Sequence, residues 1–121
     1  MDIRVRRVYD EPTDRDGFRV LVDRLWPRGV SKERARADLW LKDVAPSDAL
    51  RRWFHHEEPR FEEFARRYRS ELDANPAVAD LRDVVASHPV VTLLYGAKDQ
   101  EHNQAVVLRD YLGTGTPTAS A

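Results

Sequence analysis

The stretch VVTLLYGAKDQEHNQAVVL, residues 90–108, decides the fold class of this chain. Its first six residues are almost continuously apolar, a pattern typical of a strand that is covered on both faces in a parallel sheet. A small turn follows, and the apolar residues of the second half recur at helical spacing. The stretch therefore predicts a strand, a turn and a helix, the unit with which open α/β sheets bind ligands at the carboxyl ends of their strands.

Three further segments complete a predicted sheet of about four strands. Residues 3–8 alternate charged and apolar side chains, as an edge strand does, and residues 18–26 are rich in β-branched and large apolar residues. Residues 39–44 give a weaker strand signal. The connection between the second and third strands is barely long enough for a parallel crossover.

Most of the chain between residues 46 and 88 is predicted to be helical, because its apolar residues recur at helical spacing. Capping side chains and first-turn prolines mark helix starts at Ser31, Ser47, Pro59, Asn75 with Pro76, and Asp99. We predict a small three-layer α/β domain with a mainly parallel sheet flanked by helices. It spans residues 1–112, and residues 113–121 are expected to form a flexible tail.

Composition restricts the partners and the compartment. The 121 residues suit one domain, and a net charge of -1 gives no electrostatic footprint for nucleic acid or an anionic membrane. The absence of cysteine excludes disulfides, thiolate zinc sites and a cysteine nucleophile, and it fits a reducing cytoplasm. No stretch approaches the roughly 20 apolar residues of a membrane span. We expect a cytoplasmic protein with no membrane partner.

A first cluster of candidate binding and catalytic side chains lies at the end of the second strand, in VDRLWPRG, residues 22–29. The guanidinium groups of Arg24 and Arg28 can each hold an oxyanion with two hydrogen bonds, and Trp26 can stack on a ring. Asp23 is a candidate catalytic residue that would orient a partner. The structural alternative is that Asp23 pairs with an arginine while Trp26 closes the end of the sheet.

A second cluster follows the fourth strand, in AKDQEHN, residues 97–103. The free N–H groups at a helix start suit a phosphate or carboxylate, which Lys98 and Asn103 would also contact. His102 is the candidate general acid or base near neutral pH, and Tyr95 is a candidate stacking ring. The alternative is a solvated helix start. Because parallel strands end at one edge, the two clusters are expected to line one concave site.

These residues favour an enzyme or binding domain for a small phosphorylated or otherwise anionic ligand, including a nucleotide. The reaction, any cofactor and the oligomeric state stay open. A DNA-binding regulator is the alternative, supported by the arginine-rich helix FARRYRSEL, residues 64–72. Against it stand the sequence pI of about 6.4 and the pairs Glu62 with Arg66 and Glu63 with Arg67. A non-catalytic scaffold is the third reading.

The segment WFHHEEP, residues 53–59, raises the question of a metal site. His55 and Glu58 are three residues apart, and His102 is a conceivable third ligand. However, the adjacent His55 and His56 cannot both point one way on a helix, and no HExxH spacing occurs. The sequence therefore predicts no metal site.

Five motifs in order resemble the YeaO-like family of small bacterial proteins of unknown function, over about residues 3–112. They are RVYDEP, DGFRVLVDRLWPRGVSKE, LWLKDVAPS, LRRWFHH and LLYGAKDQEHNQAVVL. The resemblance implies a compact cytoplasmic α/β protein with the two clusters as signature positions, and it implies no activity, although some members carry a transcriptional-regulator label. Longer relatives have a cysteine in the last strand and a CHR-like triplet in the next helix. Here Tyr95 or Gly96 and HNQ stand there, so thiol chemistry does not carry over.

Overall fold

Four parallel strands form one sheet within residues 2–55 and 57–114, the part of the chain that this computed structural model describes. The sheet order is β1-β4-β2-β3. The strands are β1 Asp2–Arg7, β2 Phe18–Leu21, β3 Leu39–Trp40 and β4 Val90–Tyr95. The predicted α/β class with a parallel sheet is therefore confirmed, and β4 is an interior strand as its sequence indicated.

The same described ranges contain five α-helices. They are α1 Lys32–Ala35, α2 Asp48–Phe54, α3 Phe61–Asp73, α4 Ala77–Ser87 and α5 Gln104–Thr114. Single 3-10 turns lie at Asp14–Asp16, Lys42–Val44 and Glu58–Arg60. None of these helices combines the length and the apolar character that crossing a membrane would require, as far as the described residues go.

Alternation along β4 divides the core between the two faces of the sheet. Val91, Leu93 and Tyr95 join a large cluster with the apolar sides of α2, α3, α4 and α5. Leu94 points the other way and packs in a smaller cluster that includes Ala35 of α1. Since both faces of β4 are covered, its residues from Val91 to Tyr95 are all buried.

Two strands are shorter than their sequences predicted. The second strand was expected to run to Trp26, but β2 ends at Leu21, and Val22 makes one more hydrogen bond to the Leu94 carbonyl, at 3.1 Å. The third was expected to reach Val44, but β3 is two residues long and a 3-10 turn follows. Val44 is buried as part of that 3-10 turn and not as part of a strand. The sequence pattern therefore predicted both strands to be longer than they are.

Helix capping is confirmed at Ser31 and Ser47, whose hydroxyls accept hydrogen bonds from the backbone N–H groups of Arg34 and Leu50. The last helix begins later than expected. Asn103 Oδ1 accepts the hydrogen bond of the Val106 N–H at 3.0 Å, so α5 begins at Gln104. The helix runs to Thr114, two residues into the predicted tail, and the rest of that tail lies outside the described residues.

Candidate functional site

The ends of β2 and β4 meet at one edge of the sheet because the two strands are parallel neighbours. Asp23, two residues after β2, accepts a hydrogen bond at 2.8 Å from the backbone N–H of Gly96, the first residue after β4. Its other carboxylate oxygen accepts a hydrogen bond from Gln104 Nε2 in α5. Asp23 therefore ties together two strand ends and a helix start.

Gly96 permits this contact because it has no side chain. A Cβ atom at this position would lie 2.9 Å from Asp23 Oδ2. Burial raises the pKa of the Asp23 carboxyl to about 6, although the hydrogen bonds from Gly96 and Gln104 act in the opposite direction. The carboxylate consequently takes up a proton only about one pH unit below neutrality.

A depression at this edge, which we call the strand-end cleft, is bounded by Asp23, Arg24, Trp26, Arg51, Gly96 and Gln104. Its volume is about 270 Å³. Ligand pockets for drug-sized molecules usually measure roughly 300–1,000 Å³. The cleft therefore suits a compact ligand rather than an extended dinucleotide.

Arg24 supplies the first cation of the cleft. Its guanidinium donates hydrogen bonds to the carbonyl oxygens of Pro46, at 3.1 Å, and Ala45, at 3.2 Å. Asp48 Oδ1 is 3.9 Å from its Nε. These contacts orient the Arg24 side chain, while its only carboxylate neighbour among the described ion pairs is exposed.

Arg51 of α2 supplies the second cation. Its Nη2 donates a hydrogen bond at 3.3 Å to Asp48 Oδ1, so one carboxylate serves two guanidinium groups. Its Nε atom is buried and has no hydrogen-bond partner among the described residues. A buried donor left unpaired costs about 1–3 kcal/mol, and more when it is charged. Arg51, which lines the cleft, therefore holds one buried donor without an acceptor among the described residues.

Aromatic and apolar groups form the other walls of the cleft. Trp26 is fixed by a 2.6 Å hydrogen bond from its Nε1 to the Val30 carbonyl and by an edge contact with Trp40, whose ring centroid is 5.3 Å away. Phe54 and Phe64 also line the cleft and stack on each other at 4.2 Å. These walls are largely apolar, and they complement the two arginines.

Five of the predicted site residues lie outside the lining of this cleft in the described part of the chain: Arg28, Tyr95, Lys98, His102 and Asn103. Arg28 and Lys98 are exposed, although the Arg28 carbonyl accepts a 2.9 Å hydrogen bond from Tyr9, which does line the cleft. His102 belongs to a different cluster. The structure thus brings Asp23, Arg24 and Trp26 to the cleft, together with Gly96.

Tyr95 and Asn103 are buried and have structural contacts. Tyr95 belongs to the large core cluster, and burial raises the pKa of its hydroxyl. Asn103 Nδ2 donates a 2.8 Å hydrogen bond to the Asp99 carbonyl, while its Oδ1 caps α5. Both side chains therefore support the turn between β4 and α5 from inside.

His102 lies between two carboxylates. Its Nδ1 is 2.9 Å from Asp99 Oδ2, and its Nε2 is 3.8 Å from Glu58 Oε2. Asp99 Oδ1 accepts hydrogen bonds at 2.9 Å from the backbone N–H groups of Glu101 and His102, which hold its pKa below the ordinary value. The hydrogen bond with Asp99 in turn raises the pKa of His102.

Sequence reasoning missed the contributions of α2 and α3 to the cleft. The apolar spacing of the chain after Ser47 predicts a helix there but gives Arg51 no role. Arg51 and Phe54 are three residues apart and so share one side of a helix. That spacing was the one available signal that a cation accompanies the apolar face.

The comparisons with known proteins place the chain among uncharacterised relatives. Residues 2–119 match the model of a family described as the inactive DUF488-N3 subclade. Uncharacterised proteins of Mycobacterium tuberculosis and Mycobacterium bovis are each 46% identical over 110 residues, covering 91% of this chain and 92% of theirs. YeaO of Escherichia coli, also named uncharacterised, is 42% identical over 113 residues, covering 93% and 97%. No solved structure matches the chain. These matches confirm the resemblance that the sequence motifs indicated.

Proposed function

This chain belongs to the family described as the inactive DUF488-N3 subclade, and we propose that it binds a small organic anion in the strand-end cleft. The ligand has a negatively charged group and a compact apolar or aromatic body. Binding without turnover agrees with the word inactive in the family description. The observation that carries the proposal is the buried Arg51 Nε donor, which lacks a partner among the described residues.

The charge distribution supports an anion as the occupant. Arg24 and Arg51 both line the cleft and share one carboxylate, that of Asp48, whose side chain is 55% exposed. Exposed ion pairs contribute only about 0–1 kcal/mol, so Asp48 neutralises neither cation strongly. A carboxylate or phosphate can take two hydrogen bonds from a guanidinium, which is the strongest geometry available to these side chains.

The walls support a flat or apolar body on the same ligand. Trp26 and the stacked pair of Phe54 and Phe64 line the cleft beside the two cations, and the two phenylalanines are almost fully buried behind it. Asp23 adds one hydrogen-bonding group, so a hydroxyl or amino substituent on the ligand would find an acceptor there. With a cleft of about 270 Å³, a single ring with one anionic group fits the available space.

The alternative of a DNA-binding regulator has weaker support. On α3, Arg66 and Arg67 both pair with Glu63, at 2.5 and 2.7 Å, so the expected pairing of Arg66 with Glu62 was wrong. The Arg67 guanidinium also lies 4.3 Å from the centre of the Trp53 ring. Arginines that are engaged in this way are less available to phosphates along a DNA backbone.

A thermal-shift screen on the purified chain tests the proposal. Phenyl phosphate, benzoate, sugar phosphates and mononucleotides are compared, and a ligand at about 100 times its dissociation constant should stabilise by roughly 2.7 kcal/mol. Arg51→Met should abolish that stabilisation, whereas Arg52→Met, the exposed neighbour on the same helix, should preserve it. Equal stabilisation in both variants, or salt-dependent binding of duplex DNA without any response to small anions, would contradict the proposal.

A further inference from the structure

We propose a second site, independent of the cleft, in which His102 and Glu58 bind a divalent transition-metal ion such as zinc while Asp99 holds the histidine ring. One ligand atom from each of these three side chains lies within 4.8 Å of the other two. They come from the start of the helical segment before α3 and from the turn before α5, so the cluster is produced by the fold. The sequence names Glu58 and His102 beside His55 as conceivable ligands, but it predicts no metal site because the adjacent His55 and His56 cannot point one way on a helix and no HExxH spacing occurs.

Asp99 prepares the histidine for metal binding. Its Oδ2 atom faces His102 Nδ1 at 2.9 Å, and its Oδ1 atom is fixed by the backbone N–H groups of Glu101 and His102. A carboxylate at Nδ1 favours the tautomer that carries the proton there, which leaves a lone pair on Nε2. Histidine ligands of metals usually have such a carboxylate or carbonyl partner on the other nitrogen.

The distance between the two direct ligands fits one ion. His102 Nε2 and Glu58 Oε2 are 3.8 Å apart. Zinc binds nitrogen and oxygen ligands at about 2.0–2.2 Å in tetrahedral geometry, so two ligand atoms of one ion lie about 3.3–3.6 Å apart. A zinc ion bridging these atoms therefore needs only a small closure of the exposed Glu58 side chain.

The surroundings supply a fixed ring and a further carboxylate. The Phe61 ring meets the His102 ring edge-on, with centroids 5.1 Å apart, and limits its rotation. Glu62, one helical turn after Glu58, lines the same shallow depression as Glu58 and His102. It is a candidate third ligand, and water would complete the coordination sphere of the ion.

The charge balance of the cluster also favours a cation. Among the ion pairs of the described residues, the carboxylates of Glu58 and Asp99 pair with His102 and with no lysine or arginine. Imidazole with carboxylate oxygen is a ligand set suited to zinc, cobalt and nickel, whereas magnesium prefers oxygen ligands alone. We therefore expect zinc to bind and magnesium not to compete.

Calorimetric titration of the full-length, tag-free chain with zinc chloride tests this site. One equivalent should bind, and His102→Ala and Glu58→Gln should each weaken binding at least about tenfold. Asp99→Asn should weaken it about 10–100-fold, the usual effect of losing such a supporting group. His55→Ala and His88→Ala are the matched controls and should bind as the unmodified chain does.

Nuclear magnetic resonance of the imidazole nitrogens decides the outcome even if a variant fails to fold. In the unmodified chain, zinc should shift the Nε2 resonance of His102 and leave Nδ1 protonated. Absence of stoichiometric zinc binding would overturn the proposal, as would a zinc-dependent shift confined to other histidines.

Discussion

The carboxylate of Asp23 accepts a 2.8 Å hydrogen bond from the backbone N–H of Gly96, joining residues that are 73 positions apart in the chain. This contact fixes the ends of β2 and β4 side by side at the floor of the strand-end cleft. It also explains why an acidic residue follows one strand while a glycine follows the other.

Replacing Gly96 with alanine should destabilise the domain by about 1–3 kcal/mol, because the new Cβ would lie 2.9 Å from Asp23 Oδ2 and displace a partly buried hydrogen bond. The free energy of unfolding in urea measures this. Gly113→Ala is the control, since within the described residues a Cβ there meets no atom within 4 Å and alanine favours a helix. Equal effects of the two changes would contradict the proposed role of the contact.

The stability of the protein should depend on pH through Asp23. Burial raises the pKa of this carboxyl to about 6 from an ordinary value of 3.8, so the folded state binds the proton more tightly than the unfolded state. The contribution is fully present below pH 3.8 and is lost as the pH rises through about 6. Asp23→Asn should remove this dependence.

Denaturant titrations across that pH window give the unfolding free energies of the unmodified chain and of Asp23→Asn. The difference between the two free energies at each pH is the quantity that tests the prediction. Taking the difference cancels carboxyls with the opposite sign, such as Asp99, whose pKa is lowered. A difference that does not change with pH would mean that the Asp23 carboxyl has an ordinary pKa in the folded protein.

Arg51→Met should leave the unfolding free energy of the ligand-free protein unchanged within about 1 kcal/mol, or raise it. The buried Nε donor has no partner among the described residues, and its remaining ion pair with Asp48 is exposed. Chemical denaturation gives the free energies. A loss of several kcal/mol would indicate that Arg51 serves the fold rather than a ligand.

The sequence predicted the sheet and half of the cleft. The two-sided apolar pattern of β4 identified an interior parallel strand, and parallel strands necessarily bring Asp23, Arg24 and Trp26 to the edge where Gly96 lies. The other half, Arg51 with Phe54 and Phe64, depends on how α2 and α3 pack across that edge. Helix packing angles follow from the fit of many side chains, which no short motif encodes.

The placement of His102 could not be predicted for a related reason. The sequence offered Asp99 as the cap of the last helix, with His102 in the first turn of that helix. Instead, Asp99 caps the turn before it, and Asn103 takes over as the cap of α5. Asp99 and Asn103 are four positions apart in the sequence, and both are residue types that cap helices. In the structure Asn103 is buried, and it is the residue that caps α5.

A buried ion pair at the amino-terminal side of β2 should contribute strongly to the stability of the fold. Asp16 and Arg19 are 2% and 4% exposed and paired with each other, and Arg6 Nη1 also donates a hydrogen bond to Asp16 Oδ1 at 3.1 Å. Asp16→Ala should cost about 3–5 kcal/mol, because it leaves the Arg19 cation buried without its carboxylate. Asp14→Ala, an exposed carboxyl in the same turn, should have little effect on the melting temperature.

The most direct measurement is a nuclear magnetic resonance titration of the unmodified chain with phenyl phosphate, following the arginine Nε–Hε signals. The Arg51 signal is assigned by its absence in Arg51→Met. If an anion binds in the strand-end cleft, the Arg51 Nε–Hε signal should shift in a saturable manner as the donor gains an acceptor, while that of exposed Arg52 stays unchanged. An unperturbed Arg51 signal at saturating phenyl phosphate, or equal small shifts at all arginines, would contradict the account.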